Sequence, residues 1–320
     1  MTGPAPVVAA FVVTVALTPV AIVVATRTGV VDRPGRWKDQ ARPVPYLGGV
    51  AVLAGVLVAV AVERPSLAVP LVAATALGVA DDRFDLPPLA RLVGQVAIGV
   101  AVVVTCPVHL PGGVAAVALV AVTVLLVNGV NLIDGLDLLA GGTVAVAGVG
   151  FAVLLAGSGR QLAAALAAAL AGFLVYNRPP ARIYLGDGGS YLLGTALTVL
   201  LARAWGPHAT TTSGVAALAL VAVPAAEVAF ALVRRVRGHR SVLAGDRGHP
   251  YDRLVQRGWA RPRASAAYIA TQAVLTVATL VVHRRSSPAL AVVVDLAAAA
   301  ALVVAAAAVG ALSPDQEVAP

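Results

Sequence analysis

Long apolar segments separated by short polar ones run through the whole chain. Windows of roughly 20 apolar residues, the length that spans the hydrocarbon core of a bilayer as an α-helix, recur about eleven times. These segments are continuous runs of alanine, leucine and valine without the period-two alternation of barrel strands. We therefore predict an all-α fold: one polytopic membrane helical bundle of about 10 to 11 transmembrane helices over residues 1–320.

The composition and the basic residues give the setting. With 59% apolar and 12% charged residues, the chain lies outside the soluble range of about 45–50% and 25%, so its surroundings are a lipid bilayer. Most of the 23 lysines and arginines fall in the odd-numbered loops, above all the basic loop 234–263. The positive-inside rule then places those loops in the cytoplasm and the N-terminus outside, in the inner (plasma) membrane. This bias and anionic headgroups explain the net charge of +8, so we expect no nucleic-acid partner.

Four polar clusters interrupt the apolar pattern, and all of them fall on the predicted cytoplasmic face. They are Asp81-Asp82, NGVNLIDGLD (Asn128 to Asp137), YLGDGGS (Tyr184 to Ser190) and GDRGHPYDRL (Gly245 to Leu254). Carboxylates at membrane depth cost roughly 2.5–3.5 kcal/mol each. A chain that collects so many of them at helix ends is expected to build a polar site at the membrane surface.

The residue types in these clusters suit phosphate and metal chemistry. Asn128, Asn131, Asp134 and Asp137 are spaced by three, which predicts one polar stripe on a helix. The glycine-rich turn before Ser190 is typical of backbone amides that receive a phosphate, although such turns also occur without a ligand, and a lone Asp-Asp pair also occurs as a simple cap. Hard oxygen ligands and arginines around a histidine together indicate Mg²⁺-dependent phosphoryl transfer involving a lipid.

With these motifs in this order, the chain resembles the polyprenyl-phosphate N-acetylhexosamine-1-phosphate transferases from Asp32 to about Gly258. The resemblance implies that a polyprenyl phosphate attacks the sugar-bearing phosphate of a UDP-N-acetylhexosamine and releases UMP, with Mg²⁺ as cofactor. It implies metal ligation by Asn131 and Asp187 and catalytic roles for Asp81 and Asp82, with Asp81 either nucleophile or base. The substrate-binding residues that it implies are Lys38, Arg91 at the pyrophosphate, Asn128, Asp134, Asp137 near the uracil, Asn177 and His249.

One departure from the family pattern bears on the substrate. The family's closing H-x-H-H cluster is reduced here to His249, followed by Tyr251 and Asp252. This favours a small sugar nucleotide, with N-acetylglucosamine as the expected sugar, over the nucleotide of a phospho-N-acetylmuramoyl-pentapeptide transferase, which stays the alternative. Two further alternatives for the function are an ion-coupled transporter and an inactive binding scaffold. For the assembly, a homodimer is an open alternative.

Overall fold

The computed structural model describes residues 3–33, 42–108, 112–207, 209–241, 248–285 and 287–313. Almost all regular structure in these ranges is helical. The helices are α1 (Ala5–Thr28), α2 (Gly48–Glu63), α3 (Ala68–Phe84), α4 (Pro88–Thr105), α5 (Gly112–Ile133), α6 (Leu139–Leu154), α7 (Gly157–Asn177), α8 (Gly186–Ala204), α9 (Thr211–Ala216), α10 (Ala222–Arg237), α11 (Pro250–Gln256), α12 (Arg261–Arg285) and α13 (Pro288–Ala308). A two-stranded antiparallel hairpin, β1 (Val31–Asp32) and β2 (Val44–Pro45), pairs Val31 with Pro45.

Each predicted apolar segment is helical, although the one over residues 214–233 is divided among α9, a 3₁₀ helix (Ala217–Val221) and α10. Among the described residues, seven helical spans are long and apolar enough to cross a membrane. Two shorter apolar helical segments, Gly48–Ala61 and Leu139–Leu154, accompany them. The predicted all-α membrane bundle is therefore confirmed.

Helix α8 lies at the centre of the bundle. It is buried along nearly its whole length and packs against α2, α3 and α5. Around it, α7 packs against α1, α2 and α6, and α12 packs against α6. Because lipid tails are as apolar as the side chains, close packing of small residues holds such helices together. Because α8 packs against α2, α3 and α5, a polar residue at the end of α8 lies among several helices.

Two glycines bring α3 and α8 into contact at this polar end. A Cβ atom at Gly78 of α3 would lie 2.2 Å from the carbonyl oxygen of Asp187, so only glycine fits there. Gly186 begins α8 with a φ of +69°, a left-handed conformation that side chains disfavour, and its Cβ would lie 2.5 Å from the Tyr46 carbonyl oxygen. Both glycines therefore set the position of Asp187.

The hairpin closes the same end of the bundle. It follows α1, and the Tyr184 amide donates to the Pro45 carbonyl oxygen at 2.8 Å, just before α8 begins. The last turn of α1 is therefore on the side of the polar site, and the start of α1 is at the opposite end. Lys38, the predicted substrate ligand between the strands, lies outside the described residues.

Candidate active site at the polar ends of three helices

Asp82, in the last turn of α3, binds the first turn of α8. Its Oδ1 accepts the Asp187 amide at 3.0 Å and its Oδ2 accepts the Gly188 amide at 3.1 Å. The first amides of a helix lack partners within the helix, and a carboxylate there satisfies them and meets the positive end of the helix dipole. The sequence predicted that this turn receives a phosphate through its amides. For these two amides that prediction is wrong, because Asp82 occupies them.

Asn131 and Asp187, the two expected metal ligands, are in direct contact. The Asn131 Nδ2 donates to Asp187 Oδ1 at 2.5 Å and to Ser190 Oγ at 3.1 Å. Asn131 comes from the end of α5 and Asp187 from the start of α8. The Asn131 Oδ1 and the second Asp187 oxygen are thus hard oxygen donors presented from two helices at one point.

Asp81 is buried beside this pair, with a side chain only 2% exposed. Its Oδ1 accepts the Leu86 amide at 3.0 Å, and its Oδ2 accepts the Tyr191 hydroxyl at 2.7 Å. Arg91 Nη1 lies 3.5 Å from the same Oδ2. Both oxygens of the Asp81 carboxylate are therefore held by groups of the protein.

Carboxylates crowd at this end of the bundle. The Asp82 and Asp81 carboxylates repel that of Asp187. In the turn after α5, burial and then repulsion from Asp187 and Asp82 raise the pKa of Asp134 well above its ordinary value. The cluster is thus short of positive charge, which a divalent cation can supply.

The donor set fits Mg²⁺. In the part of the chain that the structure describes, no group of three or more His, Cys, Asp or Glu side chains has the arrangement of a metal site. Mg²⁺ does not need one, because it is usually held by one or two protein oxygens together with substrate phosphates and water. Asn131 and Asp187 provide such a pair.

The predicted polar stripe from Asn128 to Asp137 is wrong as a helical feature. Helix α5 ends at Ile133, so Asp134 and Asp137 lie in the turn that follows it. Asn128 does lie on α5, but its Nδ2 donates to Gln95 of α4 at 2.7 Å, whereas Asn131 faces α8. The stripe therefore divides into three environments, and only Asn131 contacts Asp187.

Asp137 and Asn177 join the loop after α5 to the loop before α8. Asp137 Oδ2 accepts the Ala181 amide at 3.0 Å, and burial raises its pKa, while that bond and Arg261 lower it. Asn177 accepts the Leu138 amide at 2.8 Å and donates to the Ile183 carbonyl oxygen at 2.9 Å. The structure therefore places both predicted substrate ligands in contacts that shape the site.

His249 belongs to a second cluster, formed by α10, α11 and α12. The ring is 3% exposed, and its Nδ1 lies 2.9 Å from Glu227 Oε2, while Tyr268 donates to Glu227 Oε1. The ring also stacks on Tyr251 at 5.5 Å between centroids, and the Tyr251 hydroxyl donates to the Leu132 carbonyl oxygen at 3.1 Å. The cluster thus docks against the end of α5, next to Asn131.

Parts of the predicted basic loop 234–263 are helical. Its first arginines close α10, α11 lies within it, α12 begins at Arg261, and residues 242–247 are outside the described ranges. Arg234 is buried, donates to the Ala311 carbonyl oxygen at 2.8 Å, and lies 3.4 Å from His249 Nδ1. At least this arginine holds the protein together and is not part of a solvated loop.

Sequence reasoning assigned no role to several residues of the site. Tyr191 follows Asp187 by four residues, and this spacing could have indicated a shared helix face. Glu227 is an acid in an apolar stretch, which could have indicated a buried polar contact. Ser190 ends the glycine-rich motif, but nothing in the local sequence of Ser190, Gln95 or Tyr268 shows which helix each of them meets.

The fold and the site define a multi-pass membrane protein with an acidic site where the polar ends of α3, α5 and α8 meet. A family model described as glycosyl transferase family 4 matches residues 65–204. The decaprenyl-phosphate N-acetylglucosaminephosphotransferase of Mycolicibacterium smegmatis is 32% identical over 295 residues, covering 76% of this chain and 72% of that protein. A probable undecaprenyl-phosphate N-acetylglucosaminyl 1-phosphate transferase of Bacillus subtilis is 28% identical and covers 76% and 74%.

A relative from Yersinia pestis, named undecaprenyl-phosphate alpha-N-acetylglucosaminyl 1-phosphate transferase, is 29% identical over 74% of this chain and 72% of its own. The chain belongs to glycosyl transferase family 4 and is a glycosyl-1-phosphate transferase enzyme. The family predicted from the motifs is confirmed.

Proposed function

We propose that the enzyme transfers N-acetylglucosamine-1-phosphate from UDP-N-acetylglucosamine to a polyprenyl phosphate at the cytoplasmic face of the plasma membrane. An oxygen of the polyprenyl phosphate forms a bond to the sugar-bearing phosphorus. The bond from that phosphorus to the bridging oxygen breaks, and UMP leaves with this oxygen. The contact between Asn131 and Asp187 within a cluster of three carboxylates carries the proposal, and the names of the relatives supply the sugar and the lipid.

Asn131 and Asp187 would hold the Mg²⁺, which when bound neutralises phosphate charge and polarises the phosphorus–oxygen bonds. Asp82 keeps the first turn of α8, and with it Asp187, in place. Arg91, which is 34% exposed, can extend from Asp81 to a phosphate oxygen. Phosphoryl transfer depends chiefly on positioning and charge neutralisation, which are the properties of this donor set.

The bonding of Asp81 supports a positioning and electrostatic role over direct attack on phosphorus. Both of its oxygens accept hydrogen bonds from the protein, one from the Leu86 amide and one from the buried Tyr191 hydroxyl, which lowers the nucleophilicity of a carboxylate. The attacking group is then an oxygen of the polyprenyl phosphate itself. This extends the prediction from the resemblance, which left the role of Asp81 open between nucleophile and base.

A transporter is disfavoured by where the acids lie. Transporter sites lie near the middle of the bilayer on broken helices. Asp82 is instead in the last turn of α3 and Asp187 in the first turn of α8. Acids at helix ends are placed to meet a headgroup phosphate and a water-soluble nucleotide.

The test is a transfer assay with the enzyme in membranes. Undecaprenyl phosphate, Mg²⁺ and a panel of UDP-sugars are supplied, and UMP and lipid-linked sugar are measured. We expect equal amounts of UMP and lipid product from UDP-N-acetylglucosamine, and loss of both with a chelator. Transfer from the muramoyl-pentapeptide nucleotide alone would support the alternative substrate, and product formation that persists in the chelator would contradict the role of Mg²⁺.

A further inference from the structure

Tyr191 is a buried residue of α8, 2% exposed, one helical turn after Asp187. Residues four apart lie on one face of a helix, so the same face of α8 carries an expected metal ligand and a phenol. The Tyr191 hydroxyl crosses to α3 and donates to Asp81 Oδ2 at 2.7 Å. Helix α8 therefore sets the position of Asp81 as well as that of Asp187.

Of the Tyr191 hydroxyl and the Arg91 guanidinium, the hydroxyl lies closer to Asp81 Oδ2, at 2.7 Å. Arg91 lies farther from Oδ2, at 3.5 Å, and its side chain is 34% exposed. The other oxygen, Oδ1, is held by the Leu86 amide at 3.0 Å. Without the hydroxyl, Oδ1 would stay fixed by the Leu86 amide, while Oδ2 would keep the longer contact to the partly exposed Arg91, so the carboxylate could rotate about Oδ1.

Repulsion gives a reason for such a rotation. The Asp81 carboxylate lies beside that of Asp187, and like charges in a poorly hydrated site move apart unless they are held. A hydrogen bond from a buried hydroxyl to a charged oxygen is among the stronger ones in proteins. The Tyr191 hydroxyl thus opposes the movement that the repulsion favours.

We propose that Tyr191 is a positioning residue for the transfer reaction: its hydroxyl fixes the Asp81 carboxylate beside Asp187 in the orientation that turnover requires. The inference rests on the proposed function. Tyr191 acts through Asp81 and needs no contact with either substrate. Its removal should therefore slow turnover and leave substrate binding nearly unchanged, because a misplaced reacting group raises the barrier of the chemical step.

The experiment compares Tyr191→Phe with the unmodified enzyme and with Tyr176→Phe, in detergent or membranes, using UDP-N-acetylglucosamine and undecaprenyl phosphate. Tyr176 is a matched control, because its partly buried hydroxyl also bridges two helices, donating to the Val15 carbonyl oxygen of α1 at 3.1 Å. The kcat, the KM for each substrate and the thermal midpoint of unfolding are measured for all three proteins.

For Tyr191→Phe we expect kcat to fall about tenfold, the effect of losing one hydrogen bond to a charged group. Both KM values and the thermal midpoint should stay close to those of Tyr176→Phe, whose kcat should match the unmodified enzyme. An unchanged kcat, a raised KM at unchanged kcat, or equal kcat losses in both variants would overturn the inference. If the unmodified enzyme transfers no sugar phosphate, the proposed function itself fails.

Discussion

Two buried polar clusters meet near the end of α5, and they handle charge in opposite ways. In the acid cluster, defined as Asp81, Asp82, Asn131 and Asp187, three carboxylates approach one another. In the histidine cluster, defined as Glu227, Arg234, His249 and Tyr268, the single carboxylate accepts from Tyr268 and pairs with His249 at 2.9 Å. The acid cluster accumulates negative charge, whereas the histidine cluster pairs its one carboxylate with neighbouring donors.

The difference indicates where a ligand binds. Unpaired charge in a poorly hydrated site is costly, so a cluster of like charges is stable only if another group brings the opposite charge. Arg91 pairs with one of the three carboxylates, that of Asp81, at 3.5 Å, so the acid cluster keeps an excess of negative charge that a cation from solution can balance. The histidine cluster has its partners within the chain, and its Tyr251 neighbour fastens it to the Leu132 carbonyl oxygen beside Asn131. We infer that the first cluster does the chemistry and the second supports it.

The largest effect is expected from Asp187→Ala. The change removes an expected metal ligand and the hydrogen-bond partner of Asn131, so turnover should fall by more than about 100-fold, roughly 3 kcal/mol of barrier. The transfer assay measures this, with Asp295→Asn on the distant helix α13 as the acid control that keeps its activity. Retention of more than about a tenth of the activity by Asp187→Ala would mean that the metal assignment is wrong.

Asp82→Asn should come next, with a loss of about 30-fold. An asparagine has one acceptor oxygen in place of two, so either the Asp187 or the Gly188 amide loses its partner. Hydrogen exchange of the first turn of α8 should then become faster, in parallel with the loss of turnover. Slow exchange together with lost activity would instead point to a direct chemical role of Asp82.

Glu227→Gln should have a smaller effect, about tenfold on kcat. Glutamine removes the negative charge beside His249, although it fills the same volume between α10 and α12. If Glu227 acts through His249, the double variant with His249→Ala should lose no more activity than His249→Ala alone. If the activity losses of the two single variants instead multiply in the double variant, Glu227 and His249 act independently.

Cys106→Ser should have almost no effect on activity. Cys106 is 1% exposed and follows α4 at the end opposite to Arg91. The variant provides a background for single-cysteine labelling of the topology. With reagents that do not cross the membrane, cysteine at Ser241 should stay unlabelled in intact cells, and strong labelling there would reverse the predicted orientation.

The fold could be predicted from the sequence because the membrane imposes a simple pattern on the helices. The same pattern placed the polar motifs at one end of the bundle, and the contact of Asn131 with Asp187 agrees with this. The sequence pattern does not show which polar side chains contact one another. Asp82 meets residues 105 and 106 positions away, and Asn128 meets Gln95. Such pairs depend on how helices pack against one another, which composition and periodicity do not encode.

The position at which α5 ends could also not be predicted from the sequence. A spacing of three residues from Asn128 to Asp137 suits a helix, but the helix ends at Ile133. The contacts of the turn with Ala181 and Ser265 outweigh that spacing, since Asp137 accepts the Ala181 amide and its carbonyl oxygen accepts the Ser265 hydroxyl. Tertiary contacts decided where the helix stops.

Binding of Mn²⁺, a spectroscopic substitute for Mg²⁺, tests the contrast between the two clusters most directly. Purified enzyme with UMP and undecaprenyl phosphate is titrated with Mn²⁺, and bound ion is counted by electron paramagnetic resonance. We predict that Asp187→Ala and Asn131→Ala lose the bound ion, whereas Glu227→Gln keeps it at the affinity of the unmodified enzyme. Binding retained by Asp187→Ala, or lost in Glu227→Gln, would contradict the assignment of the cation to the acid cluster.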